Sequence, residues 1–383
     1  MRHFDTIVVG IGGMGSAALW QLARRGQRVL GLERFDLGHG LGSSHGLNRI
    51  IRLAYFEHPS YVPLLRRAYE LWRDTETLAG ERLLHVTGGL DAGLEGGRVV
   101  QGALAACREH ALPHEALTAA EVARRFPGYR LPAHHAAVHQ PDAGFVASER
   151  AILAHAALAV AAGAEIHGRE RVLALEPAPG RVAVATDRAR YEAGRVVVSA
   201  GAWVSDLVPG LGATAVPERQ VLGWFQPRRP ALFAPGAFPV SNLECEFGHF
   251  YQLPIWGIPG LKIGRYHHLR ERGHADALSR EAAPADEEAL RQAVRAFFPE
   301  ADGPVLRLSV CLFTNTPDEH FLIDTLPGHP EVVLASPCSG HGFKFASVVG
   351  EVLADLAVTG SSRMDLSLFA YGRFRDAAET PSC

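Results

Sequence analysis

The chain opens with a short apolar run, followed by a segment in which apolar residues recur every three or four positions. Residues 7–9, IVV, form the first run, which is typical of a buried parallel strand. From Ser16 an Ala- and Leu-rich stretch keeps helical spacing as far as Gly26, and residues 28–32, RVLGL, have the pattern of a second strand. The opening stretch therefore predicts a strand, a helix and a second strand.

Three glycines occupy the turn between the first strand and the helix. Gly10, Gly12 and Gly15 have the spacing G-x-G-x-x-G. In a βαβ unit these glycines permit the tight turn, the approach of a pyrophosphate and the packing of helix on strand, and the phosphates bind at the helix N-terminus. Glu33 follows about twenty residues later, where a carboxylate accepts hydrogen bonds from a ribose diol. A dinucleotide site is predicted, although a βαβ unit without ligand is the alternative and the glycines alone do not separate FAD from NAD.

Strands and helices continue to alternate up to about residue 217. Residues 59–78 have the spacing of an amphipathic helix. Ser148 is placed to cap a helix that runs to residue 162 and is closed by Gly163. The other elements predicted here are strands over residues 86–90, 164–167 and 195–200 and a polar helix over residues 121–126.

Between about residues 217 and 318 the pattern changes to short aromatic runs interrupted by proline. The runs VLGWFQP, HFYQLPIW, GLKIGRYHH and LRLSVCLF indicate an antiparallel sheet, with one helix over residues 286–298. The earlier pattern then returns as a strand, VVLAS, and a helix over residues 345–358 that ends at Gly360.

This return predicts an α/β protein with a discontinuous first domain. A chain of 383 residues is longer than a single core usually supports, so two domains are expected. Residues 1–82, 145–217 and 318–383 are assigned to a Rossmann-like cofactor domain. Residues 83–144 and 218–317 are assigned to an inserted, mainly antiparallel β-sheet substrate domain.

Composition excludes several classes of partner. Hydrophobic residues make up 47% of the chain and charged residues 21%, as in ordinary globular proteins. The net charge of −3 gives no basic field for nucleic acid. No apolar run reaches the length of a membrane helix, and the segment before the first strand is too short for a signal peptide. We expect a cytoplasmic protein that binds neither nucleic acid nor a membrane.

The cysteines and histidines do not form a metal-binding pattern. There is no C-x-x-C pair, and none of the 19 histidines lies in an H-E-x-x-H spacing. We therefore expect no metal site and, by default, buried thiols at Cys107, Cys245, Cys311, Cys338 and Cys383.

Residues 35–51, FDLGHGLGSSHGLNRII, are too rich in glycine and serine to predict regular structure. A long loop directly after the ribose acid is expected to take part in function. Apolar neighbours suggest that Arg49 and Arg52 are partly buried, and buried arginines need anionic partners. A cofactor, a substrate carboxylate and a structural acid all fit that requirement.

Several longer stretches resemble one family nearly from end to end. They are FDTIVVGIGGMGSAALWQLARRG, SSHGLNRIIRLAY, GLKIGRYHH, VCLFTNTPDEHFLID and SGHGFKFASVVGEVLADLA. All are similar to the monomeric sarcosine oxidase family, which includes N-methyltryptophan oxidase. The resemblance implies a monomer that uses FAD and oxygen to oxidise secondary amino acids such as sarcosine. Hydride transfer to the flavin and hydrolysis of the imine would give an aldehyde and an amino acid, and oxygen would become hydrogen peroxide.

The resemblance also implies which residues hold the cofactor. Cys311 matches the cysteine to which the family links its flavin covalently, and Arg49 and His45 match residues packed near the flavin ring. Residues 341–344 precede a helix whose N-terminus would favour negative charge on the reduced flavin. The further cofactor contacts implied are Arg34, Ser43, Ser44, Val172, Gly340, Gly342, Phe343 and Lys344.

The substrate side of the site is implied in the same way. Arg52 and Lys344 match the family's clamp on the substrate carboxylate, for which a planar guanidinium is suited. Lys262 aligns with the lysine that assists oxygen activation, where a cation stabilises superoxide and peroxide. A lysine on an edge strand that keeps the sheet soluble is the alternative for Lys262. Tyr251 matches a tyrosine beside the substrate.

One position departs from the family pattern. The family has a histidine two residues after the glycine of GLKIG, where this chain has Tyr266, with His267 next. Either the strand carries a bulge and His267 contacts the substrate, or the contact with the substrate differs. Together with Asn242, this leaves open an oxidase or dehydrogenase of a bulkier or cyclic amino acid, such as N-methyltryptophan, pipecolate or a proline-like compound. A non-catalytic redox sensor is the alternative from another class.

Overall fold

The computed structural model describes residues 2–374, which form an α/β fold built on two large sheets and one small sheet. Cys383 lies outside the described residues. The helices are α1 (Gly13–Ala23), α2 (Val62–Ala79), α3 (Arg98–Glu109), α4 (Ala119–Arg125), α5 (Ser148–Ala161), α6 (Val204–Leu207), α7 (Pro284–Phe297) and α8 (Ala346–Thr359). The strands are β1 (Arg2–Val9), β2 (Val29–Leu32), β3 (Asn48–Ile51), β4 (Leu84–Val86), β5 (Gly89–Leu94), β6 (Glu115–Thr118), β7 (His135–Gln140), β8 (Gly144–Ala147), β9 (Glu165–His167), β10 (Val172–Ala178), β11 (Arg181–Thr186), β12 (Arg190–Val198), β13 (Val216–Phe225), β14 (Val240–Cys245), β15 (Gly248–Leu253), β16 (Leu261–Arg265), β17 (Val305–Asn315), β18 (Leu322–Leu326) and β19 (His329–Ser336).

The first sheet contains the two strands predicted at the start of the chain, and α1 is the helix predicted between them. β1 pairs in parallel with β2 and β12, β2 pairs in parallel with β9, and β12 pairs in parallel with β19. β10, β11 and β18 add antiparallel pairs. α1 packs against α5 and α8. A Cβ at Gly350 of α8 would lie 2.5 Å from Ala17 of α1, so this glycine permits the close helix contact. The predicted Rossmann-like unit is confirmed.

The second sheet has the strand order β17-β13-β16-β15-β14-β5-β7-β6. All neighbours in it are antiparallel except β14 and β5. The apolar face of α7, with Leu290, Val294 and Phe297, is buried in the same cluster as Val221 and Phe225 of β13. Each such side chain contributes about 1.5–3 kcal/mol on burial. The prediction of a mainly antiparallel sheet is confirmed.

The third sheet, of order β3-β8-β4, corrects two sequence predictions. Residues 35–51 were expected to be irregular, but β3 forms at their end because β8 supplies its antiparallel backbone partners. The strand predicted over residues 86–90 is divided into β4 and β5, since Gly88 between them has a φ of +73°.

The start of α5 corrects a third prediction. Ala147, not Ser148, is the N-cap, and Ser148 is the first helical residue. The hydroxyl of Ser148 donates to the carboxylate of Glu149 instead of accepting from a backbone N–H. That carboxylate in turn accepts the backbone N–H groups of Gly46 and Leu47, so it fixes the loop before β3.

The two large sheets draw on separate parts of the chain. The first sheet uses residues 2–32, 165–198 and 322–336, and the second uses residues 89–140 and 216–315. The predicted domain limits follow this division and stay a prediction. Within residues 2–374, no helix is both long enough and apolar enough to span a membrane.

Candidate active site

A large cavity opens at the carboxyl ends of parallel strands of the first sheet. Its volume is about 1560 Å³, including the part open to solvent. Residues at or just after the ends of β1, β2, β12 and β19 line one side, and the second sheet lines the other with Tyr251, Leu253 and Phe313. The carboxyl ends of parallel strands are where α/β proteins bind their ligands.

The predicted glycine loop forms one end of this cavity. Gly10 has a φ of +86°, which an L side chain rarely adopts. A Cβ at Gly15 would overlap the carbonyl oxygen of Gly10 and lie 2.6 Å from Ser199 Oγ, whereas a Cβ at Gly12 would meet only Ser44 Oγ, at 3.7 Å. Gly10 and Gly12 line the cavity and Gly15 does not. The three glycines therefore serve the turn, the ligand and the packing separately.

The acidic residue after β2 lies at the cavity wall. Glu33 is 5% exposed, and its carboxylate accepts the N–H of Ile11 at 2.8 Å and of Phe35 at 2.9 Å. Arg34 beside it pairs with Asp276 at 2.8 Å, while its other terminal nitrogen is buried without a partner. The predicted contacts Glu33, Arg34, Ser43, Ser44 and Val172 all line the cavity.

The segment after β19 closes the cavity over the glycine loop. Gly340, Gly342 and Phe343 line it, and the ring of Phe343 lies 2.8 Å from the position that a Cβ on Gly13 would occupy. Gly340 has a φ of +76°, and a Cβ there would lie 2.7 Å from the ring of Phe313. A short 3-10 helix, Phe343–Phe345, precedes α8, so the predicted helix start at residue 345 is one residue early.

Lys344 brings a buried amine to this wall. Its Nζ donates to the carbonyl oxygen of His341 at 2.6 Å and to Tyr55 Oη at 3.4 Å. Burial lowers the pKa of Lys344 to about 7, and the nearby charge of Arg52 acts in the same direction. His341 is buried as well, and burial lowers its pKa to about 4. A carboxylate entering the cavity would favour the charged form of Lys344.

Arg52 lies behind the cavity wall rather than on it. Its terminal nitrogens donate to both oxygens of Glu57, at 2.7 and 2.8 Å, and to the carbonyl oxygen of Ala54 at 2.7 Å. The rings of Tyr55 and Phe56 lie against the guanidinium. Burial would raise the pKa of Glu57, but the charges of Arg52, His341 and Lys344 and the hydrogen bond from Arg52 together outweigh burial and lower that pKa to about 2.

A second group of basic residues surrounds the loop before β3. Arg49 lines the cavity and donates to the carbonyl oxygens of Ser43 and Asn48. Lys262 does not line it, and its Nζ donates to Gly46 O, Asn48 O and Asn48 Oδ1 at 2.6–2.8 Å. Burial, then the charge of Arg49, brings the pKa of Lys262 well below its usual value. His45 is buried off the wall, and burial lowers its pKa to about 3.

Cys311 is a free, buried cysteine on β17, packed in one cluster with Tyr251 and Trp224. Burial raises the pKa of its thiol, although the charges of Arg49 and Lys262 oppose this. Cys311 itself does not line the cavity, but Phe313, two residues further along the strand, does. Side chains two apart on a strand point to the same face, so Cys311 faces the cavity side of the sheet.

The structure separates the two candidates after β16. Tyr266 lines the cavity, and its ring lies 5.3 Å from the ring of Tyr251 and 6.0 Å from that of Phe313. His267 is turned away and pairs with Glu218 and Glu319, both at 2.9 Å. Hydrogen bonds to these two acids raise the pKa of His267 to about 9. Tyr266 therefore occupies the cavity wall and His267 does not, and the predicted contact of His267 with the substrate stays a prediction.

Sequence reasoning missed several cavity residues. The aromatic wall of Tyr266 and Phe313, together with Leu253, Ile50 and Pro337, was not predicted as part of the site. The alternation of side chains in LRLSVCLF could have indicated Phe313, because it shares a strand face with Cys311. No cluster of three or more His, Cys, Asp or Glu residues suited to a metal ion occurs among residues 2–374.

A glycine cradle at a helix N-terminus, a buried acid after the second strand and a cavity between two sheets define a dinucleotide-binding oxidoreductase site. The chain belongs to the FAD dependent oxidoreductase family, whose model matches residues 5–356. The cradle fits that cofactor, because the space beside Gly12 is open while the space beside Gly13 and Gly15 is filled by protein.

Individual proteins of known name are similar to this chain over nearly its whole length. The chain is 40% identical over 374 residues to the monomeric sarcosine oxidase of Streptomyces avermitilis, with 96% of each chain covered. It is 34% identical over 379 residues to the N-methyl-L-tryptophan oxidase of Yersinia pestis, covering 97% of this chain and 100% of the relative. The solved structure of NikD, an unusual amino acid oxidase essential for nikkomycin biosynthesis, matches with a TM-score of 0.83 and 28% identity over 97% of this chain and 98% of NikD. The resemblance inferred from the motifs is confirmed.

Proposed function

We propose that this enzyme oxidises small secondary amino acids, of which sarcosine is the first candidate, and passes the electrons to oxygen. The observation that carries the proposal is Lys344, a buried amine on the wall of a cavity that also contains the glycine cradle, in a chain 40% identical to a monomeric sarcosine oxidase. When bound, FAD accepts the hydride equivalent from the substrate and reduces oxygen to hydrogen peroxide. The released imine is hydrolysed to an aldehyde and an amino acid.

The residues of this chain would bind and orient the substrate. Lys344 would meet the substrate carboxylate directly, since it lines the cavity. Arg52 would join it from behind the wall, once its guanidinium leaves one of its present acceptors. Tyr251, Tyr266 and Phe313 would surround the N-alkyl group and exclude water, which strengthens every electrostatic contact inside the site.

We also propose a covalent link between Cys311 and the flavin. Its support is the position of Cys311 on the strand face that bears Phe313. The raised pKa of the thiol makes Cys311 a weak nucleophile in the protein alone. The nearby positive charges of Arg49 and Lys262 would favour the thiolate that the link requires.

Lys262 and Arg49 are proposed to act on oxygen. Lys262 is fully buried, and its Nζ donates to Gly46 and Asn48, in the segment that leads to Arg49 on β3. Positive charge fixed beside the cavity would stabilise the anionic products of oxygen reduction. The buried position does not agree with the alternative of a solubilising lysine on a strand edge, since its relative exposure is 1%.

A second candidate substrate class is favoured by one observation. Tyr266 lines the cavity where the family pattern has histidine, and this replaces a polar ring with a larger aromatic one. A bulkier or cyclic amino acid would gain contact area there. The similarity to N-methyl-L-tryptophan oxidase supports the same candidate. A dehydrogenase that passes the electrons to another acceptor is the other form of this alternative.

An anaerobic flavin-bleaching screen tests both candidates. Holoenzyme is mixed with sarcosine, N-methyltryptophan, pipecolate, proline and glycine, and loss of the oxidised flavin absorbance is followed. We expect sarcosine to bleach the flavin. On admission of air, the colour should return rapidly and hydrogen peroxide should form. Bleaching by none of the secondary amino acids would contradict the function as stated. Sedimentation of the holoenzyme and fractionation of cells test the further proposals of a monomer and a cytoplasmic location.

A further inference from the structure

A buried acid outside the main cavity faces the guanidinium of Arg52. Asp91 lies on β5 inside the second sheet and is 3% exposed. Its Oδ1 accepts a hydrogen bond from Asn242 Nδ2, on the neighbouring strand β14, at 2.7 Å. The same Oδ1 lies 3.7 Å from Arg52 Nε. A buried carboxylate needs such partners, because its ionised form is costly without them.

Arg52 is thereby held by two acids at once. Glu57 takes one terminal nitrogen through both oxygens, and Asp91 faces Nε on another edge of the guanidinium. Lys344 lines the cavity and Arg52 does not. A carboxylate in the cavity therefore reaches the guanidinium only in competition with acids that already occupy it.

The charge on Asp91 decides whether the cluster of Arg52, Glu57, Asp91 and Lys344 can accept an anion. While Lys344 is protonated, it and Arg52 supply two positive charges, and Glu57 supplies one negative charge. With Asp91 neutral, one positive charge is left to balance an incoming carboxylate. With Asp91 ionised, the empty cluster is already balanced, and the incoming carboxylate becomes an unpaired charge in a buried place.

We propose that Asp91 is a positioning residue that competes with the substrate carboxylate for Arg52, and that binding of an anionic amino acid is coupled to uptake of one proton by Asp91. The inference rests on the proposed function in so far as the ligand carries a carboxylate. The proton comes from solvent and forms the O–H bond of the Asp91 carboxyl group, with nothing oxidised or reduced. Asn242 can still donate to Oδ1 after this change.

The pKa values of the two central groups support this coupling. Burial raises the pKa of Asp91 to about 6, although the charge of Arg52 and the hydrogen bond from Asn242 oppose the rise. Burial lowers the pKa of Lys344 to about 7. As pH rises through about 6, Asp91 becomes ionised and anion binding weakens. As pH rises further through about 7, Lys344 loses its charge and binding weakens again.

The other titratable groups that face Asp91 do not change charge in this range. Glu57, from the loop after β3, has a pKa lowered to about 2. Tyr266, after β16, has a pKa raised by burial, and burial raises the pKa of Cys107, on α3, to about 11. Between about pH 5 and pH 8, Asp91 and Lys344 are therefore the groups of this cluster that titrate.

Calorimetric binding of methoxyacetate to the holoenzyme tests the inference. In this probe an ether oxygen replaces the amine of sarcosine, and methoxyacetamide serves as the uncharged partner probe. Asp91→Asn should bind methoxyacetate at least about tenfold more tightly than wild type at pH 8, because removing a unit charge within about 12 Å changes the affinity for an anion by tenfold or more at an effective dielectric constant of about 20. The two proteins should bind it equally at pH 5, and methoxyacetamide equally at both pH values.

Proton uptake separates this role from a merely structural one. Titrations at pH 6 in buffers of different ionisation enthalpy should give wild type about half a proton more uptake than Asp91→Asn. Asn242→Ala removes a hydrogen bond that favours the ionised carboxylate, so its affinity should fall at a higher pH than that of wild type. Asp142→Asn removes the same charge from an exposed position and should leave the affinity unchanged.

Equal or weaker methoxyacetate binding by Asp91→Asn at pH 8 overturns the inference, as does equal proton uptake at pH 6. If Asp91→Asn does not fold, an unshifted pH profile of Asn242→Ala overturns it instead. If wild type and Asp91→Asn bind methoxyacetate equally, the inference is wrong but the proposed function is not affected. Absence of binding to wild type at pH 5, together with a failed substrate screen, removes both.

Discussion

The glycine fingerprint permits a prediction that separates folding from cofactor binding. Gly15→Ala would place a Cβ in overlap with the carbonyl oxygen of Gly10, 2.9 Å from its carbonyl carbon and 2.6 Å from Ser199 Oγ. Backbone atoms of a buried strand end cannot yield as a flexible side chain can. Ser199 Oγ also donates to Gly10 O at 2.8 Å, so α1 must move away from β1 and that hydrogen bond must be disturbed.

The expected loss of stability follows from these contacts. Overpacking of a well-packed core typically costs 1–3 kcal/mol, and a disturbed hydrogen bond adds about 1 kcal/mol. A total of about 3 kcal/mol corresponds to a fall in Tm of about 6–12 °C for a domain of this size. Gly12→Ala is the matched control, since its Cβ would meet only Ser44 Oγ at 3.7 Å and its φ of −80° suits alanine.

Thermal unfolding of the flavin-free proteins and the flavin absorbance per chain of reconstituted proteins measure the two effects. Gly15→Ala should lose stability without flavin present. Gly12→Ala should keep its apoprotein stability within about 1 kcal/mol, yet bind little flavin, because its Cβ occupies the space left for the pyrophosphate. A Gly15→Ala apoprotein as stable as wild type, or a fully flavinylated Gly12→Ala protein, would refute this division of roles.

Three further predictions concern the flavin link, oxygen and pH. Acid-precipitated wild-type protein should stay yellow and Cys311→Ala should release its flavin, with Cys338→Ala as a control that stays yellow; a colourless wild-type pellet removes the covalent link. Lys262→Met should slow reoxidation of the reduced enzyme by at least about tenfold and change anaerobic reduction by substrate far less, and equal slowing of both in stopped-flow traces contradicts the assignment. His267→Gln should lower the free energy of unfolding by about 1–2 kcal/mol below pH 6.5, the ordinary pKa of histidine. Because the folded-state pKa is raised to about 9, the difference should vanish as pH rises through 9, and denaturant unfolding that shows the same difference at pH 6 and pH 10 speaks against the pairing.

Locally encoded features could be predicted from the sequence. The strand, glycine turn and helix at residues 4–33 depend on residue spacing within one unit, and α2 and α7 depend on a repeat of apolar positions. β3 could not be predicted, because its partner β8 lies about 100 residues further along the chain. The predicted cap of α5 was wrong for a similar reason, because the Glu149 carboxylate that accepts the Ser148 hydroxyl is itself held by the N–H groups of Gly46 and Leu47, about 100 residues earlier in the chain.

The site residues show the same difference between locally encoded and long-range features. Loop residues of the motifs, such as Glu33, Ser44 and Phe343, line the cavity where the motifs placed them, because loops after strands lead directly to the ligand edge. Lys262 and Arg52 lie behind the wall, since their side-chain directions depend on acceptors contributed by other segments. Their roles stay predictions, and a sequence pattern does not contain the direction in which a buried side chain points.

The order in which the cavity walls occur in the chain constrains how the enzyme is made. β1 and the glycine loop come first, but β19 joins β12 only through residues 332–334, and Phe343 covers Gly13 later still. During synthesis the glycine loop therefore stays uncovered until nearly the whole chain has left the ribosome. Contacts of such long sequence separation form slowly. We therefore expect flavin to bind late, and chains that stop before residue 343 to lack that wall.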